Sequence, residues 1–222
     1  METQCFDLES LRLSQTLSLE EEVAYDEHLL NAFDSHIDVC FNGRKITRFL
    51  RFWQTSTYAV VVGRGNDIAT EVRVEQCDRD GIPIIRRCSG GGTVLQGPGC
   101  LNYALIQYMD DQSITVGQTN KMVMGKMAKA LGTLLNEPIV QGITDLTLGG
   151  RKFMGNAQKR KRKSFLFHGC FLLGLDISKI TTYLAHPSRE PDYRRRRSHH
   201  DFLINLDVSP KALQDAIETE WL

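Results

Sequence analysis

A run of three glycines, Gly90, Gly91 and Gly92, is the feature that most constrains this chain. Arg86 and Arg87 stand shortly before it, and β-type residues follow at 93–95. Consecutive glycines weaken a helix or strand by roughly 1 kcal/mol each through backbone entropy, so their presence indicates backbone lying close against another group. Bare amides beside guanidinium groups indicate a site for an anion, such as a phosphate or carboxylate. A tight glycine hairpin with two solvated arginines fits the same residues, and this stretch alone leaves both interpretations open.

The bulk composition is that of an ordinary globular chain. Its 222 residues suit one large domain, alone or with a small appendage, and suffice to bury a real core. Apolar residues make up 41% and charged residues 24%, which indicates neither a disordered nor a membrane protein. Basic and acidic residues both number 27, so net charge indicates no particular partner.

Cysteine use and the acidic N-terminus indicate a cytosolic protein. The six cysteines are scattered without a C-x-x-C pair, which predicts reduced thiols and no zinc site. No apolar stretch reaches the length of a membrane span, and the N-terminus lacks the basic and apolar regions of a signal peptide. We therefore predict a cytoplasmic protein with no membrane partner.

Periodicity and turn residues predict a mixture of helices and strands. Helices are expected at 17–33, 68–80, 118–135, 177–184 and 210–221. Strands are expected at 46–53, 58–62, 101–108, 145–148, from 151 onward and at 164–173. Gly149 and Gly150 mark a hairpin turn, and the polar, arginine-rich stretch 185–200 is expected to be a surface loop. Because helices and strands do not alternate strictly, we predict an α+β layer fold.

The glycine stretch lacks the familiar nucleotide motifs. It does not read G-x-G-x-x-G at the start of a helix, and no Gly-Lys-Ser/Thr follows at P-loop spacing. Any nucleotide site here is therefore of a less common type.

A second group of candidate residues lies on and near the predicted hairpin. Lys152 could hold a point charge over a carboxylate or phosphate, although an exposed strand lysine has the same pattern. Gly155 and Ala157 are two residues apart, so they share a strand face and leave room for a ligand. Asp145 could hold magnesium through one carboxylate, or it could be a solvated aspartate. His168 lies within an apolar run, as a hydrogen-bonded core histidine would.

Two basic runs, 159–163 and 194–197, raise nucleic-acid binding as a hypothesis. Neither is accompanied by interleaved aromatic residues or a known reader motif. Solvated loops, or a docking patch for an acidic protein, are the favoured interpretation, so nucleic acid is not an expected partner.

Three ordered motifs resemble the lipoate–protein ligase family, within the group that includes biotin ligases and octanoyltransferases. Residues 86–94 read Arg-Arg-Cys-Ser-Gly-Gly-Gly-Thr-Val and match the family's R-R-x-S/T-G-G-G-x-V. Residues 150–157 match G-x-K-x-x-G-S/N-A, and 167–170 resemble H-G-T/S. The resemblance covers about residues 17–206. It implies one α+β catalytic domain of the biotin/lipoate ligase type over 1–222, with mixed β-sheets flanked by helices and no C-terminal accessory domain.

The resemblance also implies a two-step reaction. Lipoate and ATP, with Mg²⁺, form lipoyl-adenylate and pyrophosphate, and a lysine of a lipoyl carrier domain or glycine-cleavage H-like protein then takes the acyl group. Lys152 would grip the carboxylate and α-phosphate and stabilise charge in both steps. The other implied site residues are Arg87, Ser89, Gly90, Gly91 and Gly92 in the acyl and phosphate region, Thr93 and Val94 beside adenine with Asn102 nearby, Asp145 near the metal and phosphates, Gly155 and Ala157 beside the ligand, and His168 and Gly169 on the other side.

Departures from the family pattern concern three features. Gln96 stands where many ligases have histidine, and Cys170 replaces the usual hydroxyl residue after His168 and Gly169. The expected absence of an accessory domain leaves two possibilities: a separate accessory subunit completes adenylate formation, or this form works alone.

Two alternative functions stand beside the ligase. An octanoyltransferase would pass acyl groups through a cysteine thioester without ATP. Related transferases carry that cysteine in the segments that correspond to residues 141–144 or 185–193, and neither segment contains a cysteine here. Cys170, within a predicted apolar strand, is the remaining candidate nucleophile. The ligase is therefore favoured over the transferase, and a non-catalytic carrier-binding or nucleic-acid-binding protein is the third possibility.

Overall fold

The computed structural model describes residues 5–7, 17–35, 38–109 and 111–221. The strands are β1 (Cys5–Asp7), β2 (Asp38–Phe41), β3 (Arg44–Lys45), β4 (Arg48–Trp53), β5 (Ala59–Val62), β6 (Ile84–Arg86), β7 (Val94–Gln96), β8 (Cys100–Tyr108), β9 (Ile139–Gln141), β10 (Asp145–Leu148), β11 (Arg151–Arg160) and β12 (Ser164–Leu172). The helices are α1 (Leu19–Asp34), α2 (Ile68–Glu71), α3 (Val74–Asp80), α4 (Val116–Leu131), α5 (Ile177–Tyr183), α6 (His199–Phe202) and α7 (Pro210–Trp221), with a short 3₁₀ turn at Asp192–Arg194.

A six-stranded antiparallel sheet forms the centre of the fold, in the order β4-β8-β12-β11-β10-β9. A smaller sheet has the order β6-β5-β7, with β5 and β6 parallel and β5 and β7 antiparallel. A third sheet pairs β1, β2 and β3. These mixed sheets with flanking helices confirm the predicted α+β class.

Helices cover the large sheet on both faces. Side chains of α4 and α7 pack with Leu101, Tyr103 and Leu105 of β8 on one face. Residues of α1 pack with Ala104 and Ile106, which point to the opposite face. The smaller sheet packs with α5 around a separate apolar cluster that also includes Cys100. This layering leaves the α1 face of the large sheet to meet the glycine-rich segment.

Several predicted elements are confirmed together with their physical causes. Ser18 and Glu21 form a reciprocal capping box that begins α1. The β10–β11 hairpin turns at Gly149 and Gly150, both with positive φ (57° and 73°), which glycine adopts without a Cβ penalty. Asp176 caps α5 through the amide of Ser178. None of the helices in the described ranges is long and apolar enough to cross a bilayer.

The single helix predicted over 68–80 is wrong, because the structure has two short helices, α2 and α3. Val72 leaves the helical path and bridges Leu184, and the amide of Arg73 bonds to the Tyr183 carbonyl at 2.8 Å. This backbone pairing with a distant segment outweighs the local helix pattern.

The solvated surface loop predicted from 185 to 200 is wrong for part of its basic run. Arg194 is buried, and its guanidinium lies 4.7 Å from the ring centre of Phe202. Arg197 lies 5.2 Å from the same ring and donates to the carbonyls of Gly150, Tyr193 and Arg194. These two arginines stabilise the loop because the aromatic ring and the backbone carbonyls provide their partners.

The prediction of reduced thiols is wrong at Cys40, which is disulfide-bonded. Parallel pairing of β1 with β2 brings residues distant in sequence beside this cysteine, which cysteine spacing does not reveal. Cys77, Cys88, Cys100 and Cys170 are free thiols. No group of three or more potential metal ligands (His, Cys, Asp or Glu) occurs within the described residues.

Candidate active site

A cavity of about 790 Å³ opens between the α1 face of the large sheet, the glycine loop and the segment after α5. A smaller, mostly apolar cavity of about 130 Å³ adjoins it. Thr93, Val94, Lys152 and Gly155 line both, so these residues form part of the wall between the two cavities.

Strand register fixes two rows of residues under this cavity. The first row crosses four strands as Trp53, Asn102, Cys170 and Gly155. The second row lies two residues along each strand and contains Arg51, Ala104, His168 and Ala157. Because residues directly opposite each other in a sheet share a face, both rows look towards the glycine loop.

Lys152 reaches the first row through a β-bulge. Leu146 pairs with Met154, but the next residue, Thr147, pairs with Lys152, so β11 carries one extra residue. The extra residue reverses the alternation and brings Lys152 to the side of Gly155, three positions away. A Cβ on Gly155 would lie 2.7 Å from the Lys152 Nζ, so a larger residue there would displace the ammonium group from this position.

Asp145 holds the Lys152 ammonium in place. Its Oδ1 lies 2.8 Å from Nζ, and its Oδ2 accepts a 2.7 Å hydrogen bond from the Tyr193 hydroxyl. Burial, followed by the charge of Asp145, raises the pKa of Tyr193, so the phenol remains a donor at neutral pH. The site thus has a positioned cation on the cavity floor, and Asp145 has a partner on each oxygen.

Arg87 organises the glycine loop from behind. Its guanidinium is buried and donates to the carbonyls of Val61, Gly90 and Gly92 and to the Ser89 hydroxyl, at 2.6–3.2 Å. Burial lowers its pKa to about 10, which leaves it charged at neutral pH. Because its guanidinium bonds both to the loop and to Val61 on β5, Arg87 acts as a scaffold that fixes the loop to the small sheet.

The backbone amides of the glycine loop are free to bind a ligand. Among the described residues, the amides of Gly90, Gly91 and Gly92 donate to no backbone or side-chain acceptor. Gly91 and Gly92 line the cavity. Arg86 is likewise occupied, donating to the carbonyls of Gly63, Arg64 and Asn66. The loop therefore offers unpaired N–H groups, which is what the anion interpretation requires. Arg87 is buried, whereas Arg86 is exposed to solvent although it is bonded to backbone carbonyls.

A chain of hydrogen bonds joins α1 to the glycine loop. Ser89 Oγ lies 2.6 Å from His168 Nε2, and His168 Nδ1 lies 2.9 Å from Asp26 Oδ2. Asp26 Oδ1 also accepts from Arg51 at 3.2 Å. Burial raises the pKa of Asp26, and the bond with His168 opposes that shift. Because Arg87 donates to Ser89, the serine proton is directed to His168 Nε2, and Nδ1–H to Asp26.

Gly169 and Asn156 brace the sheet behind the site. Asn156 accepts from the Tyr103 hydroxyl at 2.6 Å and donates to the Thr144 carbonyl at 2.6 Å. A Cβ on Gly169 would lie 2.1 Å from Asn156 Oδ1, so only glycine leaves space for this amide.

The predicted site residues converge at this cavity with two exceptions. Ser89 and Gly90 do not line it, although Ser89 bonds to His168 and the Gly90 carbonyl to Arg87. The predicted residues that line the cavity are Arg87, Gly91, Gly92, Thr93, Val94, Asn102, Asp145, Lys152, Gly155, Ala157, His168 and Gly169.

Three further side chains line the cavity and are not among the residues predicted from the sequence: Asp26, Trp53 and Tyr193. Asp26 had a readable signal, because it occupies the apolar stripe of α1 between buried Val23 and Leu30. A charged residue at such a position indicates a buried partner. Trp53 and Tyr193 carried no comparable signal.

The chemistry of Cys170 argues against a nucleophile. A hydrogen bond with Cys100, followed by burial, raises the pKa of the Cys170 thiol well above its ordinary value. Since the thiolate is the reactive form, this thiol stays protonated and unreactive at neutral pH.

Comparison with sequence families and relatives gives matches over nearly the whole chain. The family model of the lipoyl protein ligase A/B catalytic domain matches residues 18–219. Lipoate-protein ligase A subunit 1 of Thermoplasma acidophilum is 26% identical over 207 residues, covering 88% of this chain and 75% of that protein. The matched regions of several other curated relatives span only 36–48% of their length.

Two solved structures have the same fold. A bi-partite lipoate protein ligase from T. acidophilum, solved in a study with its E2 lipoyl domain, has a TM-score of 0.76 at 21% identity, covering 100% of this chain and 82% of that chain. A lipoate-protein ligase A bound with ATP has a TM-score of 0.71 at 24% identity, covering 100% and 84%. These similarities confirm the predicted catalytic-domain type of the fold.

Proposed function

Because this chain belongs to the lipoyl protein ligase A/B catalytic-domain family, we propose that it is a lipoate–protein ligase. In the first step a carboxylate oxygen of lipoate or octanoate attacks the α-phosphorus of ATP, and pyrophosphate leaves. In the second step the amine of a carrier lysine attacks the acyl carbon, and AMP leaves. The position of Lys152 on the cavity floor is the observation that supports this proposal most strongly.

Lys152 would stabilise the negative charge that both steps develop. Its ammonium group stands beside Gly155, where no side chain separates it from the cavity, and Asp145 fixes its direction. A charge held in place before reaction needs no reorganisation when the transition state forms, and such electrostatic stabilisation is typically worth several kcal/mol in a dry site.

The glycine loop would bind the anionic junction between acyl group and phosphate. The unpaired amides of Gly91 and Gly92 line the cavity, and a backbone without side chains allows close approach. Thr93 and Val94 border both cavities, which supports a place for them beside the adenine. Arg87 would act through the loop by holding its carbonyls.

Asp26, His168 and Ser89 would position this loop against the sheet. The chain of bonds runs from α1 to the residue before the glycines, so it fixes the loop relative to Lys152 on the neighbouring strand. We assign these residues a positioning role.

The site fits magnesium only in part. Mg²⁺ that arrives with nucleotide phosphates needs one or two protein carboxylates. Asp145 is suitably placed to be one, but both of its oxygens are already bonded, to Lys152 and Tyr193. Asp145 would bind the ion only after its bond to Lys152 or to Tyr193 was broken. The bound ion would then neutralise part of the phosphate charge.

The partners proposed are a lipoyl carrier domain or an H-like carrier protein, and a separate accessory subunit. The bi-partite ligase of T. acidophilum with its E2 lipoyl domain supports the first and third of these by analogy. In such an arrangement the second subunit would complete adenylate formation.

The ATP-independent transferase is the alternative. The raised pKa of Cys170 weighs against the only cysteine that sequence reasoning left for it. A transferase would consume octanoyl-carrier without ATP and lose activity on Cys170→Ser.

The deciding experiment incubates the protein with lipoate, ATP, magnesium and an acidic lipoyl domain, with and without an accessory protein, and measures acyl-AMP and modified carrier. We expect both products, and we expect Lys152→Ala to abolish them while lowering stability by only about 1–2 kcal/mol. Lys129→Ala is the matched control, because Lys129 also pairs with a carboxylate, at 2.9 Å, but lies away from the cavity. Absence of acyl-AMP under every condition would disprove the ligase, and an active Lys152→Ala would remove that residue from catalysis.

A further inference from the structure

Two exposed arginines stand beside the entrance of the main cavity without an ionic partner. Arg195 and Arg196 directly follow Arg194, which lines both cavities. Both are exposed, and neither guanidinium bonds to another residue in the described part of the chain. Residues 189–197, called the basic rim below, contain five basic and two acidic residues. The rim therefore presents net positive charge at the entrance.

The backbone at these two arginines is one that arginine rarely adopts. Their φ angles are 52° and 56°, in the left-handed region. A Cβ makes this conformation unfavourable, and glycine or asparagine fits it better. The amide of Arg196 donates to Glu190 Oε1 at 2.9 Å, which helps to hold the turn. Unfavourable backbone of this kind is concentrated at functional sites, so it indicates a role for the two side chains beyond local stability.

Exposed apolar residues extend the same entrance. Ile143 is 77% exposed and lines the main cavity. Ile139 and Val140, also exposed, lie just before it on β9, an edge strand of the central sheet. A Cβ on Gly142 would lie 3.4 Å from the Tyr193 ring, so the β9–β10 turn contacts the basic rim. An apolar patch beside exposed charges is typical of a surface that binds protein.

This entrance leads to Lys152. Ile143 stands two residues before Asp145, a span of at most about 7 Å. Asp145 Oδ1 lies 2.8 Å from the Lys152 Nζ, and its Oδ2 accepts from Tyr193 of the rim at 2.7 Å. Both sides of the entrance thus join the residue that holds the ammonium group. A lysine on a molecule docked here can extend its flexible four-carbon side chain towards the cavity floor.

We propose that Arg195, Arg196 and Ile143 form the docking surface for an acidic lipoyl carrier domain, whose lysine enters the cavity beside them. The inference rests on the proposed ligase function, because that reaction requires a carrier lysine near Lys152. Acidic side chains around the carrier lysine would pair with the two arginines, and an apolar residue would cover Ile143. Such exposed ion pairs direct encounter and orientation more than they add affinity.

Helix α1 determines the side from which such a carrier approaches. Val23 and Asp26 of this helix line the cavity. The same helix exposes Glu20, Glu21 and Glu27. These carboxylates repel an acidic partner, whereas the basic rim attracts it, so the charges favour docking on the rim side of the entrance.

Protein, not nucleic acid, is the partner that this surface favours. Tyr193 is the only aromatic residue of the basic rim, which the structure describes in full. It is partly buried, its ring lies 5.3 Å from that of Phe202, and its hydroxyl is bonded to Asp145. The rim therefore offers no ring for stacking on bases, which single-stranded nucleic acids require.

The test supplies lipoyl-adenylate to the full chain and measures transfer to an acidic lipoyl domain, so it does not depend on the first step. The rim variant carries Arg195→Asn and Arg196→Asn, since asparagine tolerates the left-handed backbone and removes both charges. The matched control carries Lys161→Asn and Arg162→Asn. These two residues follow the end of β11, roughly 25 Å along that strand from Lys152.

We expect the rim variant to raise the KM for the carrier about 3- to 10-fold at low salt with kcat unchanged, as the loss of two exposed ion pairs would give. At about 1 M salt, where the Debye length is about 3 Å, the difference should disappear. The control variant should match the wild type under both conditions. The melting temperature of the rim variant should be no lower than that of the wild type, because asparagine suits the turn.

Equal KM values of the rim variant and the wild type would overturn the proposal, as would an equal rise in the control variant. Loss of self-association or of RNA binding in the rim variant, with the KM for the carrier unchanged, would assign the surface to a second copy of the chain or to nucleic acid. Failure of the ligase function is distinguishable, because the wild type would then transfer no acyl group. Calorimetric titration of the carrier domain into each variant would still decide whether the rim binds it.

Discussion

Gly63 controls the glycine loop from outside the motif, and Gly63→Ala tests this control. A Cβ at this position would lie 2.2 Å from the Gly91 carbonyl oxygen and 3.2 Å from the Arg87 Nη2. Since carbon–oxygen contacts settle near 3.3 Å, the loop must shift by about 1 Å. The carbonyls on either side of Gly91 lie 2.6 and 2.7 Å from Arg87 Nη2, so this shift breaks at least one bond.

The magnitude follows from the bonds and the crowding. Each hydrogen bond to a charged group contributes about 1.5–3 kcal/mol, and overpacking costs about 1–3 kcal/mol. We expect a loss of roughly 3–5 kcal/mol in the free energy of unfolding, or about 6–20 °C in melting temperature. Displacing the loop by about 1 Å should also lower kcat on the order of 100-fold.

Gly65→Ala is the matched control, since a Cβ at Gly65 would have nothing within 4 Å. Urea unfolding and acyl-AMP formation measured on both variants separate local crowding from the general effect of replacing a glycine. Equal stability and equal activity of the two variants would refute the idea that Gly63 supports the loop.

Three further predictions concern groups outside the loop. Burial, followed by the charge of a nearby arginine, lowers the pKa of His199 to about 4, so this histidine is neutral in the folded protein at neutral pH. Protonation then favours the unfolded chain, so we expect the free energy of unfolding to fall by about 1 kcal/mol as the pH decreases from 6.5 to 4. Urea titrations should show this loss in the wild-type protein and not in His199→Gln. The control His200→Gln changes an exposed histidine and should keep the loss. Burial raises the pKa of Cys88 to about 11, so its alkylation by iodoacetamide, followed by mass spectrometry, should be slow at pH 8 and accelerate up to pH 11. Gly169→Ala should lower the melting temperature by roughly 2–12 °C because the new Cβ meets Asn156 Oδ1 and the Gly155 carbonyl oxygen, and an unchanged melting curve would contradict the bracing role.

The main helices and the β10–β11 hairpin could be predicted because the interactions that form them are local. Caps, paired glycines and apolar periodicity act over a few residues, as in α1 and the β10–β11 hairpin. The division of the helix at Val72 could not be predicted, because its cause is a bridge to Leu184, more than a hundred residues later.

Twelve of the residues predicted from the sequence line one cavity, but the sequence does not predict how they are arranged in it. Strand alternation alone would place Lys152 and Gly155 on opposite faces, and only the bulge in β11 unites them. The anion interpretation of the glycine stretch counted Arg87 among the groups facing a ligand, whereas its guanidinium donates to carbonyls of the loop and of Val61 on β5. Such assignments depend on tertiary contacts that residue type does not encode.

The bond between Asp26 and His168 has a consequence for synthesis of the chain. The two residues are 142 positions apart, so α1 leaves the ribosome long before the strand that donates a hydrogen bond to its buried carboxylate. At translation rates of about 5–20 residues per second, that interval lasts roughly 7–28 s. During it, Asp26 lies on an apolar helix face with no partner on β12. A bound substrate cannot shorten this period, because the strands β11 and β12 that line the cavity have not yet been synthesised.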